Sequence, residues 1–319
     1  MARPPDEPRF YMTYARSRPT ELVPWIEANN VPLLENALHR WSPNTESFKQ
    51  MWTYETPHVI DAGGYNVMSS FVTRGGELDV EQSILEAEHE KRFPFYPWTL
   101  EEYHEFLSEH ENEFEWATIM DYACQASFDT LLSKEERIEL TFDATVAHYE
   151  LLEDSGADYE LLPLLQGRSL SEYINFYERL EDAGIPADYV GVGSIADVSD
   201  TMDLVSLEVA LREQIGVDAL HGFGATVESF NNGVTFETVD SQAWVYHPSN
   251  GRVVLDCGDH LRRVTMPNNA LARKVTSFKH YYSYVTRLQQ GDSAVELDRS
   301  VCELESDDAV RNELAARVE

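Results

Sequence analysis

The stretch YELLPLLQGRSLSEYINFYERLEDAGIPADYVGVGSIA, residues 159–196, decides the fold class of the chain. Leu161 to Leu165 is a short apolar run, which is typical of a strand buried on both faces. Ser169 and Glu172 have the spacing of a helix capping box, and apolar residues then recur at helical intervals. Tyr189 to Val192 is predicted to be a second strand. Two parallel strands joined by a crossover helix form a βαβ unit, which binds ligands at the carboxyl ends of its strands.

The same alternation of strands and helices runs along most of the chain. The strand candidates are Arg9–Tyr14, His58–Ile60, Trp116–Met120, Leu161–Leu165, Tyr189–Val192, Ala219–Phe223, Thr235–Val239 and Arg252–Leu255. Segments 20–29 and 31–41 are predicted to be short helices. This pattern predicts a (β/α)8 barrel of parallel strands, with a doubly wound sheet as the alternative. The barrel is expected to span residues 1–290, with an insertion at about 74–115 and an acidic, helical C-terminal tail at 291–319.

The composition is strongly acidic. Lys plus Arg is 24 and Asp plus Glu is 57, so the formal net charge is −33. Such a charge opposes a compact state at low salt through self-repulsion. Three interpretations stay open: a salt-adapted proteome, which the spread of acid along the chain favours, a basic partner, or an ordinary acidic cytosolic protein.

Cysteine usage and hydropathy bear on the compartment. Cys124, Cys257 and Cys302 are too few and too scattered for a disulfide framework, so a reducing cytoplasm is expected. No apolar run approaches the ~20 residues that a membrane-spanning helix needs. The first residues lack the apolar core of a signal peptide. We therefore expect a cytoplasmic protein without a membrane partner.

Three predicted strands finish in an aspartate: Asp61, Asp121 and Asp240. Two other strands finish at Gln166 and Gly193. A single aspartate in such a place is most often a loop cap or a helix N-cap. A barrel has no structural need for several acids there, however, and barrel enzymes collect their catalytic residues at this end. The pattern predicts a site for a flat, hydrogen-bonding ligand.

Six motifs at these strand ends resemble, in order, those of tRNA-guanine transglycosylases. The motifs are Asp61-Ala62-Gly63-Gly64-Tyr65, Ile119-Met120-Asp121, Leu165-Gln166-Gly167, Val192-Gly193-Ser194-Ile195-Ala196, His221-Gly222-Phe223-Gly224 and Val239-Asp240-Ser241. Their counterparts in that family include Asp-Ser-Gly-Gly-Phe, Val-Gln-Gly-Gly, Gly-Gly-Leu-Ala and Met-Gly-Val-Gly. The resemblance covers about residues 55–250.

The chain departs from that family at its metal site. The tRNA enzymes hold a structural zinc through clustered cysteines and a histidine. The corresponding region here offers Cys257 with Asp259, His260 and His280, which is not a convincing zinc set, so no metal or cofactor is expected. No RNA-binding extension is expected after the barrel. These departures resemble the shortened DpdA branch, which exchanges guanine for a 7-deazaguanine in DNA.

The resemblance implies a double displacement on two carboxylates. Asp240 would attack C1′ of the nucleotide and hold it covalently, and Asp61 would move the proton as one base leaves and the next enters. The implied partners are DNA and a free 7-deazaguanine base such as preQ0. A homodimer or a partner subunit is also implied as possible by this branch.

The remaining site residues would recognise the base. By the resemblance, Asp121 accepts hydrogen bonds from the guanine N1–H and amino group, and Gln166 with the backbone at Gly193 reads the O6 side. Ser194 belongs to the same wall. Tyr65 is a candidate to stack on the base, and ordinary core packing is an equally open interpretation of this side chain.

A basic stretch follows the last of these motifs and predicts a nucleic-acid face. It contains Arg252, Arg262, Arg263, Arg273, Lys274, Lys279 and Arg287. Tyr281, Tyr282 and Tyr284 lie among them. Basic side chains neutralise phosphates and aromatic rings stack on unpaired bases. The alternative is a basic helix that pairs with acidic surface elsewhere in the molecule.

Three other functions stay open. The same architecture could modify tRNA, although the missing zinc set and extension argue against this. It could be a non-catalytic partner subunit, although Asp61 and Asp240 are both retained. It could also be an unrelated metal-dependent barrel hydrolase, although no His-x-His pair or His/Asp cluster supports that function.

Overall fold

The chain is described by a computed structural model. The described residues are 2–14, 20–50, 55–73, 83, 84, 87, 93–195, 204–225, 227–231, 233–241, 243–291, 295 and 297–316. Most of the predicted insertion up to residue 92 lies outside these ranges.

Parallel strands form the centre of the fold. The strands are β1 Arg9–Tyr14, β2 Leu33–Asn36, β3 Trp41–Ser42, β4 Ser47–Phe48, β5 His58–Asp61, β6 Ala117–Thr118, β7 Leu161–Leu162, β8 Leu164–Leu165, β9 Tyr189–Val192, β10 Ala219–Gly222, β11 Thr238–Ser241, β12 Arg252–Asp256 and β13 Leu261–Thr265. Within the described ranges, nine of them form one sheet in the order β7-β6-β5-β2-β1-β11-β10-β9-β8. All pairings within this sheet are parallel.

The sheet closes through the segment that contains β7 and β8. These short strands are the two halves of one extended segment, interrupted at Pro163, which has no N–H to donate. Leu161 and Leu162 pair with β6, whereas Leu164 and Leu165 pair with β9 at the other edge. The result is a barrel of eight parallel staves, as the sequence predicts. A stave here is one barrel strand, and β7 and β8 together count as one.

Helices surround the barrel. They are α1 Val23–Ala28, α2 Gly64–Thr73, α3 Leu100–Glu109, α4 Lys134–Ser155, α5 Leu170–Asp182, α6 Leu204–Gln214, α7 Val227–Asn231, α8 Ala243–Ser249, α9 Ala270–Gln290 and α10 Asp307–Ala316. The capping boxes that the sequence predicts at the starts of α3 and α4 are formed, and at the start of α5 the Glu172 carboxylate accepts from the Ser169 N–H. Each box satisfies backbone N–H groups of the first helical turn and fixes where the helix begins.

Two of the predicted elements are wrong. Leu33–Asn36, predicted to be helical, is the buried stave β2, and Arg252–Asp256 is not a stave. The latter pairs with Leu261–Thr265 in an antiparallel hairpin outside the barrel sheet. The expected number of about eight barrel strands is still found, because one strand was missed and one hairpin strand was wrongly included.

The barrel interior is filled by one layer of apolar side chains. Tyr11, Leu34, Val59, Leu162 and Tyr189 each come from a different stave and belong to one buried cluster. Successive side chains of a strand point to opposite faces, so the residue two positions later faces the interior again. That position holds Thr13 in β1, Asn36 in β2 and Asp61 in β5. Polar side chains are thus stacked directly above the apolar layer, at the carboxyl end of the barrel.

The hairpin of β12 and β13 is covered by the C-terminal segment. Val310 and Leu314 of α10 pack in one buried cluster with hairpin residues Val253 and Val264. A disulfide joins Cys257 to Cys302, with their Cα atoms 5.5 Å apart. This bond is not predictable from the sequence, because the two cysteines are 45 residues apart and the packing of the C-terminal segment brings them together.

The same packing buries Asp256 at the end of β12. Its carboxylate accepts hydrogen bonds from Arg287, Arg299 and Ser283. Burial opposes the charged form, but the two guanidinium groups prevail and hold the pKa of Asp256 well below its usual value. No described helix has the length and apolarity needed to cross a membrane.

Candidate active site

A cavity of about 700 Å³ opens at the carboxyl ends of the staves. All seven residues predicted to bind or transform the substrate line it: Asp61, Tyr65, Asp121, Gln166, Gly193, Ser194 and Asp240. They come from positions up to 179 residues apart, because every parallel stave ends at the same rim. A cavity of this size suits a nucleotide-sized ligand.

Asp240 is buried on β11 and is held by neighbouring staves. Its Oδ2 accepts a hydrogen bond from Thr13 Oγ1 at 3.0 Å, and its Oδ1 accepts one from the Gly224 N–H at 2.9 Å. His221 Nε2 lies 3.6 Å from Oδ1. Burial lowers the pKa of His221, which opposes the charged imidazolium even beside this carboxylate. These contacts fix the direction in which Asp240 faces the cavity.

Asp61 has a different environment from Asp240. It accepts hydrogen bonds from Asn36 Nδ2 at 3.1 Å and from the Gly63 N–H at 3.0 Å. Its pKa is raised to about 8, first by burial and then by the negative charge of Asp121, with a smaller contribution from Asp240. At neutral pH this group therefore holds a proton that it can donate into the cavity.

Asp121, Gln166 and Ser194 form a continuous hydrogen-bonded wall. Gln166 Nε2 donates to Asp121 Oδ2 at 2.7 Å, and Ser194 Oγ donates to Gln166 Oε1 at 2.7 Å. Burial raises the pKa of Asp121 to about 6, although hydrogen bonds from Gln166 and the Gly64 N–H oppose this shift. The wall presents a carboxylate and an amide side by side to the cavity.

Gly193 has a role other than the predicted one. Its N–H donates to Leu165 O at 3.0 Å and its carbonyl accepts from Tyr173 Oη at 2.8 Å, so both backbone groups serve the fold. Direct reading of a base by these two groups does not fit this geometry. A side chain at this position would instead collide with the Gln166 amide. The glycine makes room for that amide.

Two tyrosines stand at the rim of the cavity. Tyr65, on α2, is 50% exposed and meets Phe128 edge to face, with ring centroids 5.4 Å apart. Core packing therefore does not describe this side chain, which is free to meet a ligand. Tyr246, on α8, is 65% exposed and also lines the cavity. Tyr246 was not among the predicted site residues, because nothing in the sequence distinguishes an exposed tyrosine from a buried one in a short helix.

Thr13, Asn36 and His221 were also missed as parts of the site. They support the two catalytic candidates, Asp240 and Asp61, by the contacts described above. Thr13 and Asn36 are polar residues near the carboxyl ends of staves, so the signal that identified the aspartates was available for them. Asn36 was not considered because its segment was predicted to be a helix.

The predicted nucleic-acid face does not form one surface. Arg273 is 9% exposed, and its guanidinium donates to the carbonyls of Pro248, Met266, Pro267 and Asn268. A buried guanidinium with four acceptors cannot contact phosphate in this conformation, so its assignment to the face is wrong. The predicted stacking residues Tyr281, Tyr282 and Tyr284 are likewise buried in the core.

The other basic residues of the stretch separate in space. Arg262 donates to Leu304 O and Asp307 of the C-terminal segment. Lys274 and Lys279 are half-buried on α9, where the Lys279 ammonium lies 5.4 Å from the Trp25 ring centroid. These three side chains do not line the cavity.

Arg252 and Arg263 remain exposed next to the cavity rim. Opposite residues of an antiparallel pair share a face, and the register places these two arginines on the same face of the hairpin, with Arg262 on the other. Arg263 Nε lies 3.2 Å from His247 Nε2, and His247 follows the rim residue Tyr246. Burial, followed by the charges of Arg263 and Arg252, lowers the pKa of His247. Two cationic groups thus lie near His247, the sequence neighbour of the rim residue Tyr246.

The residues considered for zinc do not fit a metal site. Cys257 is in the disulfide, and His280 Nδ1 accepts from the Asp256 N–H at 3.0 Å in the interior. Asp259 and His260 form an exposed pair of their own. Across the described ranges, no group of three or more Cys, His, Asp or Glu side chains is arranged to hold a metal ion.

The comparisons with known proteins identify the family. The model of the family DpdA, described as DeoxyPurine in DNA protein A, matches residues 96–312, about two thirds of the chain. The matched region contains Asp121, Gln166, Ser194 and Asp240, whereas Asp61 precedes it. No curated protein matches the chain. The chain therefore belongs to the DpdA family, a family of transglycosylase-like enzymes that act on DNA.

Proposed function

We propose that this protein exchanges guanine in DNA for a 7-deazaguanine base such as preQ0, through a nucleotide held covalently on Asp240. The observation that carries the proposal is the convergence of Asp61, Asp121, Gln166 and Asp240 in one cavity at the barrel rim. Such a set supplies a nucleophile, a proton donor and a purine-reading wall at the same place. The family membership supplies DNA as the substrate class.

The first displacement breaks the bond between the base and the sugar. The Asp240 carboxylate attacks C1′, a C1′–O bond forms, and the C1′–N9 bond breaks. Thr13 and the Gly224 N–H hold the carboxylate in one orientation for this attack. Because the reaction uses two inversions at C1′, the sugar keeps its configuration, as in retaining glycosidases.

Asp61 moves the proton in both displacements. Its raised pKa means that it enters the reaction protonated and gives that proton to the departing guanine, which leaves as a neutral base. The incoming base then loses its N9 proton to the Asp61 carboxylate as N9 attacks C1′ and Asp240 departs. Asp61 is thereby returned to its protonated form.

Base recognition falls to the wall of Asp121 and Gln166. The Asp121 carboxylate suits the N1–H and amino group of guanine, and the amide of Gln166 suits the O6 side. Adenine offers neither pattern, and a site with buried polar partners rejects such an analogue strongly. The target base must leave the duplex stack to enter the cavity, and Tyr65 is positioned to stack on it.

DNA would lie across the rim that carries Tyr246, Arg252 and Arg263. An exposed ring can stack on a base next to the extruded one, and two arginines can contact the flanking phosphates. This surface replaces the larger basic face predicted from sequence, whose other members are buried or engaged elsewhere. Because the chain has a net charge of −33, a pair of exposed arginines near the cavity supports contact with DNA phosphates there.

Covalent trapping tests the proposal and separates DNA from tRNA as substrate. Wild-type protein incubated with guanine-containing DNA oligonucleotide should form a denaturation-resistant adduct, observed by intact mass spectrometry, and Asp240→Asn should form none. The matched control is Asp259→Asn, because Asp259 is an exposed aspartate outside the cavity lining. An adduct with tRNA but not with DNA would contradict the proposal, as would an undiminished adduct in Asp240→Asn.

A further inference from the structure

We infer that Ser194 fixes the orientation of the Gln166 side-chain amide and thereby makes the cavity selective for purines that carry oxygen, not an amino group, at C6. The inference deepens the proposed function and rests on it for the identity of the ligand. The Ser194 side chain is buried, and its Oγ lies 2.7 Å from Gln166 Oε1.

The direction of the hydrogen bonds around Ser194 is set by a backbone group. The Cys124 N–H can only donate, and it lies 2.7 Å from Ser194 Oγ. That oxygen therefore accepts from Cys124 and has one proton of its own to donate. Its nearest acceptor is Gln166 Oε1 at 2.7 Å, with Gln125 Oε1 more distant at 3.4 Å. Donation to this shorter contact places the oxygen of the Gln166 amide toward Ser194.

The nitrogen of the same amide must then face Asp121. Gln166 Nε2 donates to Asp121 Oδ2 at 2.7 Å. An amide nitrogen carries two protons, and among the described residues the structure gives this one a single acceptor. The second N–H is left for a ligand in the cavity that Gln166 lines. A donor at this place favours a C6 oxygen and repels a C6 amino group.

The backbone of Ser194 adds an independent observation. Its φ is +60°, in the left-handed region that glycine adopts most readily. A serine is disfavoured there relative to glycine unless its side chain contributes something. The hydroxyl is buried and is engaged by Cys124 and Gln166. Selective orientation of Gln166 accounts for a serine at a position where glycine would suit the backbone better.

The test compares two free bases on the intact protein by isothermal titration calorimetry. The probes are 7-deazaguanine and its 6-amino counterpart, 7-deaza-2,6-diaminopurine. Wild-type protein should prefer the 6-oxo base, and both Ser194→Ala and Ser194→Gly should reduce this preference by about tenfold or more, the scale of one hydrogen bond. Asp121 is unchanged in both variants, so its contribution to the preference cancels when a variant is compared with wild type.

Ser194→Gly separates loss of the hydroxyl from misfolding. Glycine adopts the left-handed backbone conformation at this position without strain, so this variant should fold normally. Ser47→Ala, at an exposed serine outside the cavity lining, is the matched control. A preference within about twofold of wild type in both variants, or a wild type without any preference, would overturn the inference. If the protein does not exchange bases but the preference shifts as expected, the proposed function is wrong and the inference about Gln166 stands. If the protein exchanges bases but the preference does not shift, only the inference about Gln166 is wrong.

Discussion

Asp61 and Asp240 are chemically identical side chains in one cavity, yet their surroundings suit them to different tasks. Asp240 is held by two donors and adjoins a histidine that burial keeps neutral. Burial, followed by the negative charge of Asp121, raises the pKa of Asp61 to about 8. Under the proposed function, this difference in environment suits Asp61 to act as the acid and Asp240 as the nucleophile.

The raised pKa of Asp61 predicts a specific pH dependence of stability. The folded-state value of about 8 lies above the unfolded value of about 3.9, so folding retains a proton between these pH values. Stability contributed by protonated Asp61 is therefore present at low pH and is lost as the pH rises through about 8. Asp61→Asn removes this loss.

We expect the melting temperature of Asp61→Asn relative to wild type to increase steadily from about pH 4.5 to pH 8. Thermal unfolding followed by circular dichroism across that range measures it. A difference between the two proteins that stays constant with pH would show that Asp61 does not hold its proton in the folded state.

At the scale of elements, Arg273 joins α9 to the last turn of α8 and to the segment that follows β13. Its guanidinium satisfies four backbone carbonyls, so its removal leaves buried acceptors without donors. An unsatisfied buried group costs about 1–3 kcal/mol. We expect Arg273→Met to lower the free energy of unfolding by ~2–4 kcal/mol, measured by urea denaturation.

Arg252→Gln is the matched comparison for this prediction. Arg252 is exposed, so its replacement should leave the free energy of unfolding within about 0.5 kcal/mol of wild type and weaken DNA binding in a fluorescence-anisotropy titration. If Arg273→Met proved as stable as wild type and weakened only DNA binding, the phosphate-contacting role predicted from sequence would be right and the structural role wrong.

The elements show what the sequence can and cannot predict. Capping boxes and apolar runs are local signals, and they located most staves and the starts of three helices correctly. Leu33–Asn36 carried no such signal, because four residues between short helical turns have no diagnostic periodicity. Arg262 and Arg263 are adjacent in sequence, but the alternation of a strand places them on opposite faces of the hairpin.

The aspartates of the site could be predicted from the sequence, but the residues and contacts that hold them in place could not. Aspartates at strand ends are conspicuous because a barrel has no structural use for them. Other features depend on how distant segments pack. They are the orientation of Gln166, the hydrogen bonds that occupy the backbone of Gly193, and the exposure of Tyr246. The disulfide between Cys257 and Cys302 has the same origin, since it follows from the docking of the C-terminal segment.

At the scale of the whole molecule, the net charge of −33 sets a condition on both folding and DNA binding. Repulsion among surface carboxylates opposes the compact state at low ionic strength. Raising the salt from 0.1 M to 1 M shortens the screening length from about 10 Å to about 3 Å. We expect the melting temperature to rise over this range of potassium chloride, measured by differential scanning fluorimetry. A melting temperature that stays flat or falls would contradict the idea that self-repulsion limits stability.

Exchange of a base in DNA through Asp240 can be measured in a single reaction. Purified protein is incubated with a guanine-containing DNA duplex and preQ0, and the nucleosides of the digested DNA are quantified by mass spectrometry together with the free guanine released. We expect one 7-deazaguanine nucleoside in DNA for each guanine released by the wild type, and neither product with Asp240→Asn. Release of guanine without insertion, or undiminished exchange by Asp240→Asn, would contradict the account.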